Sequence, residues 1–249
     1  MIDKSVYVAM TGASATLKAQ ASVSHNLANA NTVGFQATLN GTVAAPVQGP
    51  GLASRIAASH ETLGVSARAG AIQQTGDALD VALDADRWLA VQAPDGGTAY
   101  TRSGDLKLSP NGILTTSTGL PVLGANGQPV AIPPHDSLHI GGDGTISIVP
   151  QGEPPANVAE AGRLQVVAAA TRDLARGGDG LMRAPEGAPP PAPAAGKVLT
   201  SGAVEASNVD STSMLVQMIQ LSRQFEMQVR VLQSGEENAR AATSLMSSR

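Results

Sequence analysis

The stretch SHNLANANTVGFQA, residues 24–37, marks the point where the chain changes its type of structure. It follows a segment with helical spacing and contains three asparagines, Asn26, Asn29 and Asn31, before Gly34. Asparagine is a poor residue for a helix interior because its amide competes for backbone hydrogen bonds, but it suits helix ends and tight turns. Glycine adopts backbone conformations that other residues resist. The stretch therefore predicts the end of an N-terminal helix and a turn at Gly34.

The segment before this stretch has the pattern of a narrow helical seam. Its small and apolar residues recur at steps of three and four, with Gln20 admitted as one polar member. The seam consists of Val6, Met10, Ala13, Leu17, Ser24 and Leu27. The spacing predicts a coiled-coil-like helix whose seam ends among the asparagines.

The chain carries no Asp, Glu, Lys or Arg from Ala19 to Ser54. Such a run is unusual on a freely solvated surface, where charged side chains are common. Two interpretations fit it: a neutral loop folded over the protein's own core, or a segment enclosed by other subunits.

The middle of the chain, from about Thr75 to Val198, is predicted to be an all-β domain with mainly antiparallel strands. Short apolar runs alternate there with turn signals that are typical of hairpins. The signals are PDGG (94–97), SPNG (109–112), GANG (124–127) and GGDG (141–144).

A second helix is predicted at the C-terminal end. Asp210 or Ser211 can cap its start. Its seam, with Gln228 and Gly235 admitted, consists of Met214, Met218, Leu221, Phe225, Leu232, Ala239, Ala242 and Met246. Glu226 with Arg230, and Glu236 with Arg240, have the i,i+4 spacing of helix-surface ion pairs.

These patterns together predict an α+β protein with a β domain inserted between two long terminal helices. A narrow apolar seam is stable only when it is buried, so the helices are predicted to pair as an antiparallel coiled-coil stalk. The predicted division is residues 1–36 with 208–249 as the paired helices, 37–75 and 196–207 as connecting segments, and 76–195 as the β domain.

Composition excludes several classes of function. The net charge is −4, the pI is about 5.5 and no basic run occurs, which argues against nucleic-acid binding. The chain has no cysteine and only five aromatic residues (one Trp, two Tyr and two Phe), which argues against thiol chemistry and a deep small-molecule pocket. The spaced apolar residues of the N-terminus predict neither a cleaved signal peptide nor direct membrane insertion.

No catalytic or metal-binding pattern emerges from the sequence. His135 and His139 are four apart, but in an extended segment that spacing separates them by about 13 Å. Asp80, Asp84 and Asp86 lack the glycine and distal glutamate of a calcium loop. We therefore predict no enzyme activity, no metal and no cofactor.

Three motifs resemble those of the bacterial flagellar rod and hook family. HNLANANTVGFQ (25–36) is similar to N-N-L-A-N-x-N-T-x-G-F-[KR], with His25 and Gln36 as the departures. LDVALDADRWLAV (79–91) follows L-D-x-A-[IL]-x-G-x-G-[FW]-[FL]-x-V, although Ala85 and Arg87 replace its two glycines, and YTRSGDL follows soon after. GAVEASNV (202–209) matches G-x-[LV]-E-x-S-N-V. The resemblance covers nearly the whole chain in order.

The resemblance implies a structural subunit of the flagellar basal-body rod that polymerises helically through its terminal helices. It implies copies of the chain and other rod proteins as partners, export through the flagellar type III apparatus without cleavage, and a place in the periplasmic rod. The expected assembly residues are Val6, Met10, Leu17, Asn26, Leu27, Asn29, Asn31, Thr32, Gly34, Phe35, Asn208, Met214, Met218, Leu221, Phe225 and Leu232.

Two alternatives stay open at this point. The stretch YVAMTGASATLKAQ (7–20), the GPGL segment (49–52) and the length are most like a proximal-rod type of subunit, and the distal-rod type is the close competitor. A glycan-binding β domain on a helical oligomerisation stalk is the alternative from another class, and exposed rings of Trp88 and Tyr100 would favour it.

Overall fold

The computed structural model describes residues 2–46 and 56–247 and divides into two compact units. One unit contains both terminal helices and residues 38–63, and the other contains residues 29–37 and 64–209. Residues 47–55, which include GPGL and the end of the charge-free run, lie outside the described residues. Among the described residues, neither helix has a stretch that is both long and apolar enough to span a membrane.

The helical unit consists of two long helices and a two-stranded ribbon. Its elements are α1 (Ile2–Ala28), β1 (Thr38–Pro46), the greater part of β2 (Ile56–Val65) and α2 (Ser211–Ser247). The two predicted terminal helices are thus present. The ribbon lies within the segment that the sequence pattern assigned to a connection, residues 37–75.

Side-chain hydrogen bonds lie at the start of α2 and near the end of α1. Asp210 is the N-cap of α2, because its Oδ1 accepts a hydrogen bond from the Thr212 amide at 3.0 Å. At the end of α1, the buried Asn26 amide exchanges two hydrogen bonds with the backbone of Thr38, at 2.9 and 3.0 Å. The asparagine side chain therefore joins α1 to the first residue of the ribbon.

The two helices contact each other where α1 carries small residues. Thr16 Oγ1 donates a hydrogen bond to Gln228 Oε1 at 3.1 Å. A Cβ added at Gly12 would lie 3.2 Å from Gln228 Nε2, which is shorter than an ordinary van der Waals contact. Ala13, Ala15 and Thr16 are buried in the same part of α1. Small residues of α1 therefore lie where the side chain of Gln228 meets the helix.

The β unit is built from fifteen short strands, all of whose described pairings are antiparallel. The mainly antiparallel β domain predicted from the turn signals is confirmed. The strands are β3 (Ile72–Gln74), β4 (Val81–Leu83), β5 (Arg87–Gln92), β6 (Thr98–Thr101), β7 (Leu106–Leu108), β8 (Leu114–Thr116), β9 (His135–Ile140), β10 (Thr145–Pro150), β11 (Ala159–Arg163), β12 (Val166–Ala168), β13 (Ala175–Arg176), β14 (Met182–Arg183), β15 (Ala192–Pro193), β16 (Leu199–Ser201) and β17 (Ala203–Glu205).

Sheet order brings the end of this unit's chain back to its beginning. The largest sheet has the order β13-β14-β6-β5-β12-β15, and β9, β10 and β11 form a second sheet. The last two strands do not extend either sheet. Instead β16 pairs with β4, and β17 pairs with β3. The C-terminal strands therefore close the unit against its first strands.

Three of the four predicted turn signals connect paired strands, and the fourth, GANG, forms a turn beside an isolated bridge between Leu123 and Pro129. PDGG lies between β5 and β6, SPNG between β7 and β8, and GGDG between β9 and β10. The last glycine of SPNG, Gly112, has φ +75°, a left-handed value that favours glycine. The extended backbone of β9 also keeps His135 and His139 apart, as expected.

The β unit encloses an aliphatic core. Leu89, Val91, Leu114, Ile140 and Ile146 are completely buried within it. A separate, smaller cluster gathers around Trp88 and Tyr100. Apolar burial of this kind is the main favourable contribution to folding.

We expect Leu114→Ala to lower the free energy of unfolding of the β unit by about 2–5 kcal/mol, because it leaves a cavity in the core. Leu108→Ala is the matched control, since Leu108 is 38% exposed. Urea unfolding measures both. Equal losses in the two variants would contradict this placement of the core.

Candidate functional site

Three sequence segments that are far apart in the chain meet in the β unit. They are Gly34–Ala37 from the N-terminal motif, Arg102 from YTRSGDL, and Glu205–Asn208 from the C-terminal motif. We call this set of residues the motif junction. It contains three of the expected assembly residues, Gly34, Phe35 and Asn208.

A buried ion pair lies at the centre of the motif junction. Arg102 Nε and Nη2 lie 2.6 and 2.5 Å from Glu205 Oε2, and both side chains are at least 95% buried. The remaining donors of Arg102 reach backbone carbonyls: Nη1 bonds to Arg87 at 2.8 Å and Asp84 at 3.3 Å, and Nη2 bonds to Leu83 at 3.1 Å. A buried charge is tolerated when it is paired and hydrogen-bonded in this way.

The carbonyls that receive Arg102 belong to a tight turn between β4 and β5. In this turn Asp86 has φ +54°, the one non-glycine residue with positive φ in the described part of the chain. The turn is the place where Ala85 and Arg87 replace the two glycines of the family pattern. The guanidinium of Arg102 also lies 5.7 Å from the centre of the Trp88 ring. The chain thus turns between β4 and β5 without the two glycines of the family pattern, and its carbonyls bind the Arg102 guanidinium.

Gly34 is required at the motif junction for steric reasons. Its backbone has φ +68°, and a Cβ there would collide with the backbone of Arg102 and Ser103. Its amide donates a hydrogen bond to the Glu205 carbonyl at 2.7 Å. The N-terminal loop therefore packs directly on the residues of the ion pair.

Asn208 binds the backbone on two sides. Its Oδ1 accepts a hydrogen bond from the Ala37 amide at 2.7 Å, and its Nδ2 donates to the Arg68 carbonyl at 2.7 Å. Its own amide donates to the Phe35 carbonyl at 3.2 Å. Asparagine suits this position because one side chain supplies both a donor and an acceptor.

Phe35 is held from the other side by Arg176. The Arg176 guanidinium stacks over the Phe35 ring, 4.8 Å from its centre, and Nη2 donates to the Gln36 carbonyl at 2.8 Å. Burial lowers the pKa of Arg176 below its ordinary value. The contacts of Arg176 with Phe35 and Gln36 thus anchor the loop.

The asparagines that follow α1 form the turn predicted there. Asn29 accepts hydrogen bonds from Thr32, through its carbonyl at 3.1 Å and its Oδ1 at 3.2 Å. Asn31 and Thr32 are exposed in the single chain, whereas Asn29 is half-buried. The polar groups of this turn are therefore partly satisfied locally and partly presented at the surface.

The predicted seam of α2 is the face that is partly covered in the helical unit. Met214, Met218, Leu221, Phe225 and Leu232 are all half-buried. The side chains of Ala239, Ala242 and Met246 lie outside the described residues. The period read from the sequence therefore identified one face of this helix.

The predicted seam of α1 coincides only in part with its buried face. Ala13 is buried and Leu27 is half-buried, whereas Met10 and Leu17 are 56% and 48% exposed and Ser24 is exposed. The Val6 side chain lies outside the described residues. The residues that α1 buries are smaller and more polar, among them Ala15 and Thr16. The buried positions of α1 thus include small residues, whereas the larger side chains of Met10 and Leu17 are exposed.

A second apolar face of α2 is exposed and was not predicted. Leu215, Val216, Ile219, Met227 and Val231 are between 49% and 61% exposed. Of the two predicted ion pairs on this helix, Glu236 and Arg240 lie 3.9 Å apart, and Glu226 and Arg230 are not paired among the described residues. The helix is therefore apolar on more than one side.

Sequence reasoning also missed the ion pair. Arg102 and Glu205 lay within quoted motifs, but nothing in the sequence connects residues that are 103 positions apart. One signal was present: each charge occurs beside short apolar or small residues, as in AVEAS, where a buried charge must find a partner.

Two further features bear on the kinds of site that the sequence analysis considered. They contain no group of three or more His, Asp or Glu side chains that could hold a metal ion. Trp88 and Tyr100 are 2% and 5% exposed, so neither ring can stack on a sugar. The observation that would have favoured glycan binding is therefore missing from these two residues.

Comparison with known families matches all three parts of the chain. Residues 6–36 match the model described as flagella basal body rod protein, and residues 82–148 match that of the flagellar hook protein FlgE/F/G D1 domain. Residues 200–245 match the flagellar basal body rod FlgEFG protein C-terminal model. These matches define an axial structural protein of the flagellum.

Relatives that match this chain over most of its length are also flagellar rod proteins. The chain is 42% identical to the flagellar basal-body rod protein FlgF of Salmonella typhimurium and 41% identical to that of Escherichia coli, over 99% of each chain. It is 31% identical to FlgG of Bacillus subtilis, over 86% of this chain and 88% of the relative. The chain belongs to the flagellar basal-body rod protein family, and its resemblance to that family is confirmed. Proteins of this family are structural subunits and not enzymes.

We expect Glu205→Gln to lower the free energy of unfolding by about 3–5 kcal/mol, because it leaves the Arg102 charge buried without a counter-charge. Glu160→Gln, at an exposed glutamate of β11, is the matched control and should change it by less than about 0.5 kcal/mol. Removing both charges in Arg102→Leu/Glu205→Leu should recover part of the loss. Urea unfolding that does not separate Glu205→Gln from the control would contradict this role.

Proposed function

We propose that the chain is a subunit of the proximal rod that polymerises helically through its terminal helices. In this proposal the helices form part of a hollow drive shaft, and torque passes through many packed interfaces without chemistry. Family membership supports a rod subunit. The exposed apolar faces of α1 and α2 are the observation that carries the helical contacts.

The amount of apolar surface on these faces supports contacts between subunits. Tyr7, Met10 and Leu17 on α1 are 48–56% exposed, and the outer face of α2 adds five more large apolar side chains. Contiguous exposed apolar surface of this kind marks interaction sites. Full burial of one such side chain stabilises by about 1.5–3 kcal/mol. A contact that repeats without closing a ring produces a helical assembly.

We further propose that α1 and α2 pair as an antiparallel coiled coil in the assembled rod. Residues 1–36 and 208–249 would act as the axial core domain, 37–75 and 196–207 as connecting segments, and 76–195 as the β domain. The half-buried seam of α2 and the hydrogen bond between Thr16 and Gln228 support the pairing.

The predicted assembly residues take two roles in this proposal. Those on the helices, from Met10 to Leu27 and from Met214 to Leu232, would pack within and between subunits. Asn29, Asn31 and Thr32 would meet a neighbouring subunit, because they form a compact polar turn that carries no charge. Gly34, Phe35 and Asn208 would hold that turn in place.

The proximal-rod type is favoured over the distal-rod type by the extent of the likeness. The FlgF relatives of Salmonella and Escherichia match end to end at 41–42% identity, and the FlgG relative matches less of the chain at 31%. Its partners would be copies of itself, other rod proteins and, during export, the flagellar type III apparatus. Its place would be the periplasmic part of the basal body.

We expect Asn29→Ala and Phe35→Ala each to abolish or strongly reduce motility while the β unit still folds. Loss of either side chain removes a contact that shapes the turn after α1. Swimming in soft agar and recovery of the chain in purified basal bodies are the measurements. Asn111→Ala, in an exposed turn of the β unit, is the control and should swim normally. Normal motility of both test variants would count against the proposed role.

We expect the terminal helices of the free monomer to be poorly protected, because their outer faces have no partner until assembly. Hydrogen exchange should be fast for the amides of α1 and α2 in dilute monomer and slow in isolated rods. The amides of β5 provide the internal control and should be protected in both. Full protection of both helices in dilute monomer would refute this part of the proposal.

A further inference from the structure

Residues Glu205–Asn208 hold together segments that come from separate parts of the β unit. We call these four residues the clasp. They bind the N-terminal loop Gly34–Ala37, the segment Ser66–Ala71 and the side chain of Arg102. Although the clasp is only four residues long, both its backbone and its side chains form hydrogen bonds to these segments.

The N-terminal loop is bound to the clasp at both of its ends. The Gly34 amide donates to the Glu205 carbonyl at 2.7 Å, and the Ala37 amide donates to Asn208 Oδ1 at 2.7 Å. Between them the Phe35 carbonyl accepts the Asn208 amide at 3.2 Å. These bonds fix the residues that follow the asparagine turn.

The segment Ser66–Ala71 is bound in the same manner. The Gly70 amide donates to Glu205 Oε1 at 2.8 Å, and the Ala206 amide donates to the Ala71 carbonyl at 2.8 Å. A side chain at Gly70 would collide with the Ala206 carbonyl, so the two backbones are in close contact. The Glu205 carboxylate therefore uses one oxygen for Gly70 and the other for Arg102.

The clasp is also the last part of this unit to emerge when the chain is delivered from its N-terminus. Its bonds span long sequence separations, 171 residues from Ala37 to Asn208 and 103 from Arg102 to Glu205. Until residue 205 arrives, the Arg102 guanidinium has no carboxylate, and burying it alone would be strongly unfavourable. Non-local contacts of this kind form late.

We propose that the clasp is a folding latch that couples the order of the N-terminal motif to the arrival of the C-terminal motif. With the clasp open, the loop after the asparagine turn is released although the aliphatic core of the β unit is formed. With the clasp closed, Gly34–Ala37 and Ser66–Ala71 become ordered together. An incompletely delivered chain thus lacks an ordered N-terminal motif, and, resting on the proposed function, it is not competent to join the rod.

Hydrogen exchange of the full-length monomer tests the latch. Asn208→Ala removes the side-chain bonds to Ala37 and Arg68, but it touches neither Gly34 nor Gly70. If the clasp closes cooperatively, the amides of Gly34 and Gly70 exchange at least tenfold faster in this variant. The Leu114 amide, which binds the Val130 carbonyl in the core, keeps its protection. Asn157→Ala, at an exposed asparagine bonded to Glu153, is the matched control and leaves all these amides unchanged.

Glu205→Gln provides a second test, in which Gly34, Gly70 and Ala37 should again lose protection before the core does. The latch is overturned if Asn208→Ala accelerates Ala37 alone, or if the two variants accelerate core and loop amides equally. These measurements use free monomer, so they are independent of the rod. Suppose that Phe35→Ala abolishes motility but that Asn208→Ala accelerates exchange at Ala37 without accelerating it at Gly34 and Gly70. The proposed function would then stand, and the latch would be refuted.

Discussion

The buried pair of Arg102 and Glu205 is the interaction on which the joining of the family motifs in the β unit depends. A guanidinium at 5% exposure is stable only with its donors satisfied, and here one carboxylate and three backbone carbonyls satisfy them. Those carbonyls come from the turn between β4 and β5, and the carboxylate comes from the last strand. The pair therefore requires the first and last strands of the unit to be in register, which the β16–β4 and β17–β3 pairings provide.

The same arrangement connects the fold to the family motifs. Each motif contributes a different physical element: Gly34 a left-handed turn against the Arg102 backbone, Arg102 the charge, and Asn208 the bonds to two neighbouring segments. None of these elements is a reactive group. They explain why a structural subunit carries polar residues at such specific positions, since the side chains of Arg102 and Asn208 bind backbone groups of neighbouring segments.

In the helical unit, small and large residues of α1 occupy different environments. Small residues of α1 lie where the side chain of Gln228 meets the helix, while the larger Tyr7, Met10 and Leu17 are exposed. The alternation of three and four in the sequence identified the half-buried seam of α2, because large apolar residues mark that face. On α1 it identified only part of the buried face, because the residues buried there include small and polar ones such as Ala15 and Thr16. The exposed face of α2 was missed for a related reason: a single-seam pattern assumes one partner.

The sequence by itself determined the two terminal helices, the choice of Asp210 or Ser211 as the cap of α2, the antiparallel hairpins and the family, because each of these depends on neighbouring residues or on motifs read in order. Only the tertiary structure decided which residues the motifs bring together. Arg102 and Glu205 lie on separate strands and form a pair solely through the closing of β16 and β17. Periodicity reports which face of an element is apolar, but it carries no information about which distant charge will share a buried site. That choice follows from the topology of the folded chain.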